Sequence, residues 1–154
     1  MKLLVAIDFS ELADRIIGEA EKLAKTLSAK VFLLHVIPPS SPVIDLLPDV
    51  ETLLPREHTP ANERSLHLSD TPESAKMVTI ATKLQQKGID TAVIIAQNDE
   101  VTAIIEESEK ISADLIMLGS HGHGALFHLL IGSVSEGVIR RASCPVIIVP
   151  LKKR

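Results

Sequence analysis

Apolar residues in this chain come in short consecutive runs rather than in alternation. The runs Leu3–Ile7, Val31–Val36, Thr91–Ala96, Leu115–Leu118 and Val146–Val149 have strand length. Unbroken apolarity of that kind is expected where a strand is covered on both faces. Between the runs the period changes to that of a helix. Residues 11–27 place Leu12, Ile16, Ala20, Leu23 and Leu27 on one face, with charged residues opposite. Thr71-Pro72-Glu73 is a helix start and Gly88 a stop, which predicts a helix over 72–87. Asn98 caps a predicted helix running through Ser108, and a last helix is expected over about 131–141. Strand and helix alternating at this spacing predict an α/β fold, a single doubly wound domain over residues 1–154 built on a parallel sheet. Residues 38–71 interrupt the pattern with Pro38, Pro39, Pro42, Pro48, Pro55 and Pro60. A connection of that length reads as a lid, an Ω-loop or a disordered excursion.

Composition narrows the function classes. Apolar residues make up 45% of the chain and charged residues 23%, which is globular rather than disordered composition. With three phenylalanines and no Tyr or Trp, the core must be aliphatic. The 16 basic and 20 acidic side chains give a formal charge of −4, without the basic excess of a typical nucleic-acid binder. The only basic run, Lys152-Lys153-Arg154, reads as a solvated tail. The apolar run at the N-terminus stops at Asp8, too short for a signal-peptide core, and no stretch reaches the roughly 18 apolar residues of a membrane span. A soluble cytoplasmic protein is the expectation. Cys144, the one cysteine, reads as a small packed residue, not a nucleophile.

In an open parallel sheet, ligands collect at the carboxyl ends of the strands, where the strand order reverses. Asp8 follows the first run, with Ser10 and Glu11 beside it. Two readings of Asp8 coexist: the cap of a D-x-x-E helix start, or a carboxylate accepting from a sugar hydroxyl. After the fourth run comes Gly119-Ser120-His121-Gly122-His123-Gly124, then Gly132-Ser133-Val134-Ser135 at a helix start. Closely spaced glycines let backbone amides converge on a phosphate, and a helix start offers unpaired N–H groups and a favourable dipole. The alternative is a flexible turn with serine caps. Known phosphate patterns do not match: Val138 stands where a P-loop needs lysine, and Phe127 where a dinucleotide fingerprint needs its last glycine. Ser133 likewise replaces the first glycine of a nucleophile elbow around Ser135. His121 and His123 have no carboxylate or cysteine at a diagnostic spacing, so no protein-held metal site is expected there. His128 reads as exposed, His35 as a packed histidine at the end of its strand, and Glu106-Glu107 as a solvated helix face.

The spacing Gly119-x2-Gly122-x9-Gly132-Ser133 resembles the nucleotide-binding signature of the universal stress protein family. The likeness extends to Leu3–Ser10, Leu33–Val36, Ala113–Gly119 and the stretch from Gly132 to Val149, most of the chain outside the proline-rich excursion. It implies a Rossmann-like five-stranded parallel sheet of order 3-2-1-4-5, helices on both faces, and a homodimer through the last strand, Val146–Val149. Because the glycine signature is present, the resemblance implies the ATP-binding class. Asp8 would then hold ribose or base, Ala6 and Ile7 would line the adenine pocket, and Val36 would offer its backbone to adenine. Leu118 and Gly119 would lie against the nucleoside. His121, Gly122, Gly132, Ser133, Val134 and Ser135 would surround the phosphates, bridged by Mg2+ or Mn2+.

One departure bears on the ligand. The stretch between the second and third glycines, His123-Gly124-Ala125-Leu126-Phe127-His128 onward, holds no Lys or Arg where many relatives carry a basic residue. ADP or AMP therefore stands beside ATP as the expected ligand. The leading reading is a nucleotide-responsive regulator of the stress response, read by a protein partner. A slow ATPase and a dimeric interaction protein without nucleotide are the alternatives, and no catalytic residue is assigned.

Overall fold

The structure, a computed structural model, describes residues 1–38, 71–120 and 132–150. Its elements run β1 (Lys2–Ala6), α1 (Ala13–Leu27), β2 (Lys30–Ile37), α2 (Pro72–Gln86), β3 (Thr91–Gln97), α3 (Glu100–Lys110), β4 (Leu115–Gly119), α4 (Ser133–Arg141) and β5 (Val146–Val149). Expectations for most of the proline-rich excursion, for His121, Gly122, His123 and His128, and for Lys152–Arg154 fall outside the described residues.

The strands form one five-stranded sheet in the order β3-β2-β1-β4-β5, every neighbour parallel, as the resemblance implied. Successive strand residues face opposite ways, and each side buries its own cluster. Leu3, Val5, Leu33 and Met117 pack against Ile16 and Ala20 of α1 and Met77 and Leu84 of α2. Leu4, Leu34, Ile116 and Leu118 pack against Ile104 and Ile105 of α3 and Val138 of α4. The consecutive apolar runs thus reflect burial on both faces. Among the described residues no helix is long and apolar enough to cross a membrane.

Helix ends show which local signals decided. Thr71 caps α2 as expected, its hydroxyl accepting from the Ser74 amide at 3.1 Å, with Pro72 next in line. The helix closes on Gly88 at φ 81°, with Gly88 N donating to Gln85 O and Ile89 N to Leu84 O, so the glycine stop is a left-handed C-terminal turn. At α3 the cap is Asp99 rather than Asn98: the Asp99 carboxylate accepts from Thr102 N, while Asn98 accepts from Asp99 N one step earlier. The helix then runs to Lys110, past the expected end at Ser108. Hydrogen bonding to Thr102 holds the Asp99 carboxyl below its usual range.

Three further expectations are corrected. Asp8 does not cap α1, because its carboxylate accepts from Ser10 N two residues on, and the helix starts only at Ala13 after Leu12. Leu27 is 41% exposed, since it sits one turn beyond Ala24, the last buried residue of α1. Cys144 is half-buried rather than fully packed; partial burial, with the nearby Asp114 charge second, pushes its thiol up and away from nucleophilic use. Glu106 is exposed, and Glu107 pairs with Lys110 at 2.6 Å.

Helices α3 and α4 touch where Gly137 meets Val101. A Cβ added at Gly137 would fall 2.7 Å from Val101 Cγ2, on a short, stiff side chain. Overpacking costs about 1–3 kcal/mol, against about 1 kcal/mol gained from alanine's helix propensity. Gly137→Ala is therefore expected to lower stability by about 1 kcal/mol, read as a lower urea midpoint at unchanged slope. A raised midpoint would show that Val101 can swing aside.

Candidate functional site at the carboxyl ends of the central strands

The chain builds the sheet outward from β1 to β2 and β3, then crosses back to place β4 on the other side of β1. The reversal lies between β1 and β4. There β1 stops early. Its ladder with β4 ends at Val5↔Met117, and its ladder with β2 at Ala6↔Leu34. Its neighbours run on: β2 with β3 to Ile37↔Gln97, and β4 with β5 to Gly119↔Val149. The result is a notch floored by the end of β1 and walled by β2 and β4.

Most predicted site residues that the structure describes gather around this notch. Ala6, Ile7 and Asp8 form its floor, Val36 lies on the β2 wall, and Leu118 and Gly119 lie on the β4 wall. The side chains of Ile7 (3% exposed) and Leu118 (4%) point into the two core clusters, so these residues meet the notch through their backbones. Asp8 is half-buried and held by the Ser10 amide at 3.0 Å.

The far side is the start of α4. Ser120 N donates to Val149 O at 2.9 Å, and Gly132 N donates to Ser120 O at 2.6 Å. The two residues flanking 121–131 are thereby joined at the end of β4. Gly132 is the N-cap of α4 in extended conformation and supplies no side-chain cap. Gly132 thus gives the first-turn amides of Ser133, Val134 and Ser135 no capping side chain, and an anion can take that role. Glu136, the acidic residue of this turn, is drawn down the helix to Arg140 at 2.7 Å. Ser133 is exposed, whereas Ser135 is buried and donates its hydroxyl to Gly119 O at 2.7 Å. Ser135 therefore fastens α4 to β4, and only its amide and hydroxyl lone pairs remain for a ligand.

Two features were not anticipated. Phe9, next to Asp8, has φ 57°, a left-handed conformation that only Gly, Asn and Asp visit readily. Its ring lies 4.7 Å from the His35 imidazole, and Lys76 Nζ lies 5.3 Å over it. His35 is packed at the end of β2 as expected, but its Nδ1 also meets Ile7 O at 2.7 Å. No local pattern marks a phenylalanine for positive φ, so only the fold reveals this turn.

Comparison with known proteins gives these observations a family. Residues 1–150 match the model of the universal stress protein family. The chain belongs to that family. Universal stress protein MJ0577 of Methanocaldococcus jannaschii is 33% identical over 156 aligned residues, spanning 98% of this chain and 95% of that protein. Universal stress protein YxiE of Bacillus subtilis is 28% identical, spanning 96% of this chain and 97% of that one. The solved structure of MJ0577 superposes with a TM-score of 0.73 at 27% identity, covering 99% and 97% of the two chains. A universal stress protein solved in complex with cAMP shares the fold at a TM-score of 0.65 and 21% identity, covering 97% and 95%.

The bond from Ser135 to Gly119 gives a direct check on the notch. Ser135→Ala leaves a carbonyl at the end of β4 without its donor, at an expected cost of about 1–2 kcal/mol in urea unfolding. Unchanged stability would show that water replaces the hydroxyl there.

Proposed function

We propose that this protein binds an adenine nucleotide in the notch between β1 and β4 and acts as a nucleotide-responsive regulator in the stress response. The observation that carries the reading is that a half-buried carboxylate, Asp8, and the first turn of α4, which Gly132 leaves without a side-chain cap, flank the gap where β1 ends before β4. Asp8 takes the ribose or base, and Val36 offers its backbone to adenine. The amides of Gly132, Ser133, Val134 and Ser135 take phosphate, together with His121 and Gly122. ATP is the ligand proposed first, with ADP or AMP as its alternatives, and Mg2+ or Mn2+ is held by the phosphates rather than by a protein cluster. That a neighbour of the same fold holds cAMP is consistent with the reading, which rests on this chain's own residues.

The same reading includes a homodimer. Among the described residues, β5 pairs only with β4, and Val146, Ile147 and Ile148 are half-buried. An apolar outer edge of this kind is stabilised by a second strand, here that of another copy. Nucleotide occupancy, relayed to this edge or to the proline-rich excursion, is what a protein partner would read. Turnover is disfavoured, because the chain from Gly119 to Ser135 carries no Lys or Arg to stabilise a transferring phosphoryl group.

Calorimetry on nucleotide-stripped protein, with and without Mg2+, tests the reading through Asp8→Ala and Ser133→Asp. An aspartate in the first turn favours the α4 dipole, so the helix is retained, but its charge opposes phosphate. Both variants are expected to lose at least about tenfold in ATP affinity, with Ser133→Asp keeping or raising Tm. Wild-type protein giving no heat with any adenine nucleotide would overturn the proposal, as would Ser133→Asp binding ATP as tightly as wild type.

A further inference from the structure

The ladder between β1 and β2 ends in an unusual way. Ile7 N donates to Leu34 O at 2.9 Å, the last regular step. In a continuing parallel ladder, Ile7 O would next accept from the Val36 amide. Instead it accepts from the His35 side chain at 2.7 Å, which places the imidazole hydrogen on Nδ1, since a carbonyl only accepts. The Leu34 carbonyl faces β1, and the two-residue period of a strand turns the Val36 N–H and C=O the same way. These groups look toward β1 just past the point where the β1–β2 ladder ends at Ala6↔Leu34.

We infer that His35 is a positioning residue that ends the β1–β2 ladder by occupying the Ile7 carbonyl, keeping the Val36 backbone open to the edge of a base. The inference deepens the nucleotide reading and rests on it. An N–H and a C=O on one residue present a donor and an acceptor together, complementing an adenine edge that carries a ring-nitrogen acceptor beside an amino donor. The imidazole is held in its role from outside. Phe9, folded back by its left-handed backbone, lies against the ring at 4.7 Å, and Lys76 of α2 lies 5.3 Å over Phe9. The position of Ile7, and so of Asp8 beside it, depends on a side chain from the neighbouring strand.

The test uses the full chain with two substitutions at one position. In His35→Ala the Ile7 carbonyl loses its donor and takes the Val36 amide, lengthening the ladder by one step. Amide exchange followed by NMR, without nucleotide, is then expected to show Val36 newly protected, and ATP affinity to fall about tenfold. His35→Asn can donate from its side-chain amide to the same carbonyl, and is expected to restore both the open Val36 amide and most of the affinity. A merely structural histidine would lower Tm in both variants without separating them in affinity. Val36 exchanging equally in wild type and His35→Ala would overturn the inference while leaving the nucleotide reading standing. An open Val36 amide alongside wild-type protein that binds no adenine nucleotide would instead overturn both.

Discussion

The β1–β4 ladder closes at Val5↔Met117, two residues before β4 ends and three after β1 begins. This early end of β1 relative to β2 and β4 is the constraint on which the rest of the carboxyl end depends. A central strand that matched its neighbours would pair every backbone group and leave a flat edge. By stopping at Ala6, β1 leaves the chain through Ile7, Asp8 and Phe9 to satisfy its polar groups by other means. Ile7 turns to Leu34 and His35, and Asp8 to the Ser10 amide. The notch opens where these bonds take the place of the regular ladder.

The opposite wall solves a related problem by different chemistry. Helix α4 must start close to the end of β4, and its first amides have no helical partners. A bond from Gly132 to Ser120 draws the start of α4 to the strand, and the Ser135 hydroxyl fastens it at Gly119. Because the bond from Ser120 to Val149 also ties this point to β5, the α4 side of the notch and the outer sheet edge share a backbone connection. That connection offers a short mechanical route between the proposed ligand and the proposed dimer edge. Among the described residues, the side built on β1 and β2 has no such link to β5.

Much of this architecture was legible in the residues. Consecutive apolar runs marked strands covered twice, and the Thr71-Pro72 start and Gly88 stop worked because each removes or supplies a backbone group at the helix end. Reading failed where two adjacent residues could do the same job. Asn98 and Asp99 are both competent caps, and which one accepts from the helix depends on where the strand releases the chain. Leu27 illustrates another limit, since periodicity identifies the face of a helix but not how far along it the core extends. Of the residues expected to line the site, Ile7 and Leu118 sit beside the notch, yet an apolar side chain beside a cleft can equally face the core, and both do.

The left-handed backbone at Phe9 was not legible in the sequence, and the reason is energetic. Left-handed backbone at a bulky residue costs of order 1–3 kcal/mol, so local propensity argues against it. The conformation persists because it places the ring where the His35 imidazole and the Lys76 ammonium can both use it. Tilted ring–ring and cation–π contacts of this kind contribute about 0.5–1.5 and 0.5–1 kcal/mol respectively, comparable to the strain. A glycine at this position would adopt the turn without strain but would leave the imidazole unsupported. Strain and contact nearly offset one another, so a phenylalanine here contributes little net stability. Its consequence is geometric: the ring holds an imidazole, the imidazole holds a carbonyl, and the carbonyl determines where the central ladder ends.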